Sequence, residues 1–149
     1  ASFNAKNNTT VTGMQYKAAE GFTLAFQDGW VKEAYTNGKI WQVATLRPGK
    51  YRLEVTYAYT MVVSDVGNFI SALMAKGNSE SDIPNVADIE QLNGVCAIYD
   101  KAGTNDDSGI LVTPSFEVTE TTDVVIGFLT SLAKGNSYFK VTELKLILE

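Results

Sequence analysis

Four aromatic residues beside predicted loops are the side chains of this sequence best suited to binding a ligand. They are Trp30, Tyr35, Tyr59 and Tyr99, and neighbouring loops add the polar residues Asp65 and Asn68. An aromatic ring covers the apolar C–H face of a sugar, and carboxylates and amides bond to its hydroxyl groups. These six residues are therefore the predicted ligand-binding set, with a glycan as the ligand. Core packing is the competing interpretation, because aromatic residues mostly fill the interiors of sandwiches.

The residue types that most often carry catalysis are sparse. The sequence contains no histidine, which excludes Ser-His and Cys-His pairs and imidazole metal ligands. A carboxylate pair would suit a glycosidase, with its two groups ~5–9 Å apart. Its candidate members are Asp28, Glu33, Asp65 and Asp100. We predict no catalytic residues and no enzyme activity, and a glycosidase is the third hypothesis. With Cys96 as the single cysteine, no disulfide forms within the chain.

A dense turn segment at residues 100–109 offers hard oxygen ligands. Asp100, Asn105, Asp106 and Asp107 suit calcium by chemistry, but their spacing matches no complete EF-hand loop. Solvated turn residues are the favoured interpretation. We therefore expect no cofactor and no metal, with a structural calcium near Asp106 and Asp107 as the alternative.

Composition narrows the class of partner. The chain has 149 residues, a formal charge of −5 and a pI near 4.7, with no basic run. These values argue against nucleic acid and against insertion into or binding to an anionic membrane. No apolar run approaches the ~20 residues of a membrane span. A chain of this length is expected to form one domain, residues 1–149, that buries roughly 68–70% of its unfolded surface.

The clearest strand pattern lies at residues 40–60. From Tyr51 to Tyr59 the odd positions are aromatic or aliphatic and the even positions are polar except for Ala58, which predicts a strand with one buried face. The preceding strand, around Trp41, is polar on neither face, so it fits cover on both sides. Pro48 and Gly49 between them predict a type II turn with positive φ at the glycine. Such turns splay strands, so this one should connect two different sheets.

Further strands and turns follow from runs of apolar residues and turn dipeptides. We predict strands at residues 21–27, 69–75, 95–99, 110–118, 123–129 and 138–148, and a turn at Asn37-Gly38. Ile110, Val112, Phe116 and Val118 share one face of an edge or bulged strand containing Pro114. A bulge near Thr142-Glu143 reconciles the two halves of the last strand. Residues 84–93 predict one short helical turn, and residues 1–13 a linker or edge strand.

Together these elements predict an all-β fold. It is a two-sheet antiparallel jelly-roll sandwich of about eight strands, with at most one short helical turn. Residues 123–129 are apolar on both faces, as in a central strand, and Gly127 within them marks a close approach of two backbones.

Three segments resemble a known superfamily. Trp30, residues 41–55 (WQVATLRPGKYRLEV) and residues 139–146 (FKVTELKL) resemble the galactose-binding-like jelly-roll superfamily, which includes many carbohydrate-binding modules. Residues 63–99, with AKG at 75–77 and DIPNV at 82–86, resemble an uncharacterised C-terminal domain of surface lipoproteins of Gram-negative gut anaerobes. Thr142-Glu143 stands where the superfamily's last strand carries paired acidic residues.

The resemblance implies a function and a location. It implies a non-catalytic carbohydrate-binding module, extracellular or on the outer-membrane surface, cut from a longer chain whose other domains are partners. The alternative is a protein-interaction or spacer domain of a surface lipoprotein, which makes contact through residues 77–94 and its edge strands.

Overall fold

The computed structural model describes residues 4–6, 14–16, 22–25, 35–60, 68–101, 107–132 and 138–149. The strands in these ranges, in chain order, are β1 (Asn4–Lys6), β2 (Met14–Tyr16), β3 (Phe22–Ala25), β4 (Tyr35–Leu46), β5 (Gly49–Thr60), β6 (Phe69–Lys76), β7 (Gly94–Ile98), β8 (Asp107–Val112), β9 (Phe116–Val118), β10 (Thr122–Leu132) and β11 (Tyr138–Leu148). Short 3₁₀ segments span Glu80–Asp82 and Val86–Gln91, the second within the range predicted to turn.

The strands form two antiparallel sheets, which confirms the predicted sandwich. Sheet A has the order β1-β4-β10-β6-β7, and sheet B has the order β2-β3-β11-β5-β8, with β9 also paired to β5. β1 lies at one edge of sheet A and β8 at one edge of sheet B, as predicted for the N-terminal segment and for the strand before Pro114.

The Pro48 connection carries the chain from one sheet to the other, as predicted. β4 pairs with β1 and β10 in sheet A, whereas β5 pairs with β11 and β8 in sheet B. The predicted type II geometry is wrong, because Gly49 has no positive φ and already belongs to β5. Arg47 and Pro48 alone therefore separate the two strands, with a bend at Pro48, and the Tyr51 hydroxyl donates a 2.7 Å hydrogen bond to the carbonyl oxygen of Arg47.

Alternation along β5 places its odd residues in the core. Tyr51, Leu53, Val55 and Tyr57 are all buried, as predicted. Thr60 is also buried, although its even position predicts exposure. The cause is an irregularity in the pairing with β8, whose register shifts between Tyr57 and Thr60. The face of β5 therefore changes just before its end.

Two predictions of local structure are wrong. Ile110 and Val112 are exposed whereas Phe116 and Val118 are buried, because residues 113–115 separate β8 from β9 and the parity changes across this break. Asn37-Gly38 forms no turn but lies within β4. Asn37 does adopt the left-handed conformation typical of that dipeptide, with φ of 54°, and the register between β4 and β10 shifts nearby.

β10 and β11 behave as predicted. β10 lies between β4 and β6, and the residues from Val124 to Leu132 are buried on both faces. At Gly127 an added Cβ would lie 2.8 Å from Trp41 Cα and would also meet the carbonyl oxygen of Ile40, so the two backbones do approach closely. The register of β11 against β5 shifts between Val141 and Glu143, which is the predicted bulge.

The hydrophobic core extends to both faces of sheet A. Two clusters of buried side chains fill the space between the sheets, one around Phe128 and Phe139 and one around Leu53 and Ile126. A third cluster lies on the outer face of sheet A, where Leu73, Val125 and Leu129 pack against Ile83. Trp41, Val86, Ile89 and Leu92 complete it.

Residues 77–94 therefore cover part of the outer face of sheet A, and polar contacts hold them there. Lys39 is only 4% exposed, and its Nζ donates a 2.6 Å hydrogen bond to the carbonyl oxygen of Ile83. The same Nζ lies 3.5 Å from Glu80 Oε1. Asn37 Oδ1 accepts a 2.8 Å hydrogen bond from the backbone nitrogen of Val86. We call residues 77–94 the cover segment.

Candidate functional site

One end of the sandwich collects strand ends from both sheets. In sheet A, the start of β4 lies opposite the end of β10, and the end of β10 lies opposite the start of β6. In sheet B, the end of β5 lies opposite the start of β8, while β11 begins beside the end of β3. We define the rim by these strand ends: Ala25, Tyr35, Thr60, Phe69, Ile98, Asp107, Leu132 and Tyr138.

Four of the predicted ligand-binding residues lie on or next to the strand ends of the rim. Tyr35 begins β4 and Tyr59 lies next to the last residue of β5; for both, the structure describes the backbone. Asn68 immediately precedes β6 and is half-buried, and Tyr99 immediately follows β7. Trp30 and Asp65 lie outside the described residues.

Tyr99 is held inside the sandwich rather than displayed on its surface. The residue is 7% exposed and packs against Tyr57 and Phe139, with all three ring centroids 5.2 Å apart. Its backbone nitrogen donates a 2.9 Å hydrogen bond to the carbonyl oxygen of Ile70. The Tyr99 ring therefore packs in the core directly beneath the rim, and its hydroxyl is the part of the side chain that reaches the surface.

The hydroxyl of Tyr99 joins the two sheets at the rim. It donates to Asp107 Oδ2 at 2.7 Å and lies 3.1 Å from the carbonyl oxygen of Lys101. Burial, and then the hydrogen bond to Asp107, raise the pKa of the Tyr99 phenol well above its ordinary value. The Tyr99 hydroxyl is therefore a neutral donor at any physiological pH, and Asp107 is its acceptor.

A second phenol lies beside this pair. Burial raises the pKa of Tyr57, and the nearby Asp107 carboxylate raises it further, while the positive charge of Lys101 acts in the opposite direction. Gly109 leaves space for this hydroxyl, since a Cβ there would lie 2.7 Å from Tyr57 Oη. Asp100 is also close enough to influence both phenols. We call Tyr57, Tyr99, Asp100, Lys101 and Asp107 the rim network.

Sequence reasoning missed Tyr57 and Lys101 as site residues. Tyr57 follows the inward alternation of β5, which predicts only core packing for its ring. Its hydroxyl reaches polar groups because the ring lies near the end of the sandwich. The available signal was the position of Tyr57 close to the C-terminal end of the strand, where a buried tyrosine can still direct its hydroxyl to the surface.

Asp107 belongs to the turn segment that offers hard oxygen ligands for calcium. Within the described ranges, no group of three or more aspartate, glutamate, cysteine or histidine side chains is placed to hold an ion. Asn105 and Asp106, two of the four residues considered for calcium, lie outside the described residues. A structural calcium near Asp106 and Asp107 therefore stays a prediction.

Comparison with known proteins assigns the chain to a family. A family model described as "Domain of unknown function (DUF5013)" matches residues 1–127. The chain belongs to this family. A search of curated proteins finds no match to the sequence of this DUF5013 domain. In the described parts of the domain, no helix is both long and apolar enough to cross a membrane.

Three solved structures share the fold of the DUF5013 domain, each over 99% of this chain. TmCBM61 in complex with β-1,4-galactotriose has a TM-score of 0.56 at 11% identity, over 88% of that chain. The xylan-binding module CBM15 has a TM-score of 0.55 at 11% identity, over 91% of its chain. A mutant xylanase 10C from Cellvibrio japonicus in complex with xylopentaose has a TM-score of 0.54 at 12% identity, over 27% of its chain. At such low identity, these likenesses establish the sandwich fold.

Proposed function

We propose that this DUF5013 domain is a non-catalytic glycan-binding module and that its glycan lies on the rim. The observation that carries the proposal is the convergence of the predicted residues. Tyr35, Tyr59 and Asn68 belong to three different strands or strand ends, yet pairing brings them to one end of the sandwich. The shared fold with carbohydrate-binding modules supports it independently.

The rim offers the chemistry that sugar recognition needs. Glycan binding requires an aromatic platform for the C–H face of the ring, together with acceptors and donors for its hydroxyl groups. Tyr59 and Tyr35 are the proposed platform residues in the described ranges, and Trp30 and Asp65 are proposed to join them. Asn68 and the rim network supply amide, carboxylate, ammonium and phenol groups. Tyr99 contributes through its hydroxyl, since its ring is buried.

Affinity electrophoresis against a panel of soluble polysaccharides tests the proposal. The wild-type domain should be retarded by at least one glycan, and Tyr59→Ala or Trp30→Ala should abolish that retardation. Val43→Ala is the control, because Val43 is 42% exposed on the outer face of sheet A. Near-UV circular dichroism checks that each variant is folded. If both aromatic variants are still retarded by the glycan, the glycan does not bind at the rim.

We also propose that the module acts outside the cell, as a domain of a secreted or surface-anchored protein. The resemblance to surface lipoprotein domains motivates this location. Its test is the full-length precursor expressed in its host. The domain should become accessible to added protease on intact cells, and a cytoplasmic marker should not. Protection of the domain until the cells are lysed would contradict this location.

The absence of catalysis is tested on the same glycans. Incubation of the domain with each bound polysaccharide should release no reducing ends. The chain lacks histidine, and the carboxylates nearest the rim phenols, Asp100 and Asp107, fit the role of polar contacts. Release of reducing ends that is lost in Asp107→Asn would overturn this part of the proposal.

A protein-interaction or spacer domain is the second candidate, and one observation favours it. β8 is an edge strand of sheet B whose outward side chains Ile110 and Val112 are 59% and 47% exposed. Exposed edge strands with β-branched side chains are suited to pairing with another chain. The cover segment is a weaker contact surface, since its apolar residues already pack on sheet A. Absence of binding across a broad glycan array would favour this candidate.

A further inference from the structure

The carboxylate of Asp107 is fixed in place but only partly used. Its Oδ2 accepts the 2.7 Å hydrogen bond from Tyr99, whose buried ring cannot move away from it easily. Among the described residues, no donor bonds to Oδ1, and Asp107 itself is half-exposed at the start of β8. A carboxylate that is oriented by one oxygen and open at the other is preorganised to accept a hydrogen bond from a ligand.

In the rim network, negatively charged side chains outnumber positively charged ones. Asp100 and Lys101 are both exposed, and the phenol of Tyr57 feels Asp107, Lys101 and Asp100 together. The Lys101 ammonium lies close enough to lower the pKa of the Tyr57 phenol, against the effect of the two carboxylates. Two carboxylates against one ammonium leave the rim network with an excess of negative charge. The whole chain carries the same sign, at −5.

We infer that Asp107 is a specificity-determining residue that selects neutral glycans over acidic ones. This inference rests on the proposed function, because it names the class of glycan that the same rim would bind. Asp107 Oδ1 accepts a hydrogen bond from a sugar hydroxyl, while Lys101 donates to a ring or hydroxyl oxygen. A uronate or sulfate at this position would meet Asp107 and Asp100 and would be repelled.

Positioning of the carboxylate by Tyr99 is part of this selectivity. The Tyr99 hydroxyl orients Asp107 through a direct hydrogen bond. The Tyr99 ring is buried and packs against the buried ring of Tyr57, so it holds the Asp107 carboxylate in place. Because a fixed acceptor loses little conformational entropy on binding, it discriminates between ligands more sharply than a mobile side chain would.

Asp107→Asn is the decisive variant. Asparagine has nearly the same shape and keeps an oxygen for the Tyr99 hydroxyl, so the fold should persist while the charge is lost. Hydrogen bonds to charged groups contribute enough that affinity for neutral glycans should fall about tenfold or more. Affinity for polygalacturonate should stay the same or rise. Glu143→Gln is the matched control, since this carboxylate is exposed on the outer face of sheet B, away from the rim.

Isothermal titration with galactan, xylan and polygalacturonate separates the outcomes. The expected result is that the wild type binds a neutral polysaccharide, that Asp107→Asn binds it with the lower affinity given above, and that Glu143→Gln binds it as the wild type does. Neutral binding that is equally strong in Asp107→Asn would overturn the role of Asp107 and leave the glycan-binding proposal standing. A wild type that binds no glycan on a broad array would overturn the proposed function itself.

The wild-type protein alone provides a second test that does not depend on a variant folding. In direct competition, neutral polysaccharide should displace polygalacturonate, and raising the salt concentration should hardly change neutral binding. A wild type that prefers polygalacturonate or a sulfated glycan would refute the inference. Tyr99→Phe adds a graded readout, because it frees the Asp107 carboxylate from its anchor and should weaken neutral binding only severalfold.

Discussion

Replacing Lys39 by methionine should loosen the cover segment without disturbing the sandwich beneath it. The Lys39 side chain is 5% exposed, and its ammonium bonds to the carbonyl oxygen of Ile83 at 2.6 Å. Methionine keeps an unbranched apolar side chain of similar length, so the cavity left by Lys39→Met is small. What the substitution removes is the donor for a buried carbonyl group of the cover segment.

The expected loss follows from two opposing terms. A hydrogen bond from a charged group contributes roughly 1.5–3 kcal/mol to stability, and a buried carbonyl without a donor carries a desolvation cost of about 1–3 kcal/mol. Relief of the desolvation of the Lys39 ammonium offsets part of this loss. We therefore expect the free energy of unfolding to fall by about 2 kcal/mol, or Tm by about 4–8 °C for a domain of this size.

Glu80→Gln is the matched comparison. The Glu80 side chain is 27% exposed and lies 3.5 Å from Lys39 Nζ, so solvent screens the ion pair. Its removal should cost less than about 1 kcal/mol. Urea unfolding gives both values, and hydrogen exchange at the amides of residues 80–92 should accelerate in Lys39→Met. If Glu80→Gln cost as much as Lys39→Met, the stabilisation would come from the ion pair, and the reasoning from the Ile83 carbonyl would be refuted.

Three further predictions concern the sheets and the rim. Gly127→Ala places a methyl group against the backbone of β4 and should destabilise by about 3 kcal/mol or more, measured by urea unfolding; an unchanged midpoint would contradict the close approach seen at this residue. Thr113→Val removes the acceptor for the backbone nitrogen of Leu53, bonded at 2.9 Å, and should cost about 1–2 kcal/mol in the same assay, whereas a neutral effect would show that this bond adds nothing. Tyr57 and Tyr99 have raised phenol pKa values, so their contribution to stability is complete below the unfolded pKa of about 10 and is lost as the pH rises through the folded values. Thermal melts between pH 8 and 12 should show this decline, and in Tyr99→Phe it should be shallower; equal slopes would contradict it.

Much of the sandwich follows from local pattern. The inward alternation of β5, the two-sided apolar run of β10 and the bulge of β11 are direct consequences of side chains pointing to opposite faces of a strand. The change of sheet at Pro48 was predicted from a type II turn; the change of sheet is confirmed, but the turn type is wrong, since Gly49 already belongs to β5. These features depend on residues that are close in sequence, so local patterns are enough to predict them.

Features that depend on distant partners were harder to predict. Nothing adjacent to Lys39 indicates that a segment 44 residues later supplies its carbonyl acceptor. The spacing of Val86, Ile89 and Leu92 does indicate an apolar face, and the two-sided pattern around Trp41 indicates that something covers it. Only the folded structure shows that the apolar face of the first segment packs on the strand that contains Trp41. Asn37 likewise adopts the predicted left-handed backbone but uses it inside a strand, because β10 continues to pair beyond it.

For the candidate site too, one part could be predicted from the sequence and another could not. Aromatic and polar residues at strand ends were recognisable, and antiparallel pairing brings the strand ends near them to the rim. The rim network was not recognisable, because Tyr57, Tyr99 and Asp107 come from three strands or strand ends in two sheets. Their hydroxyl and carboxylate groups meet only when the sheets pack, and the alternation of β5 assigns Tyr57 to the core, where its ring does lie.

The strand order has a consequence for how this protein folds. β4 and β5 are adjacent in the chain but never pair; their principal partners, β10 and β11, lie roughly eighty to ninety residues further along. Such long loops must close before their pairing energy is gained, which makes folding slow relative to helical domains of equal size. β11 is also the middle strand of sheet B, between β3 and β5. Strands β3 and β5 therefore cannot be joined into one sheet until β11, among the last residues of this sequence to be synthesised, is available to pair with both.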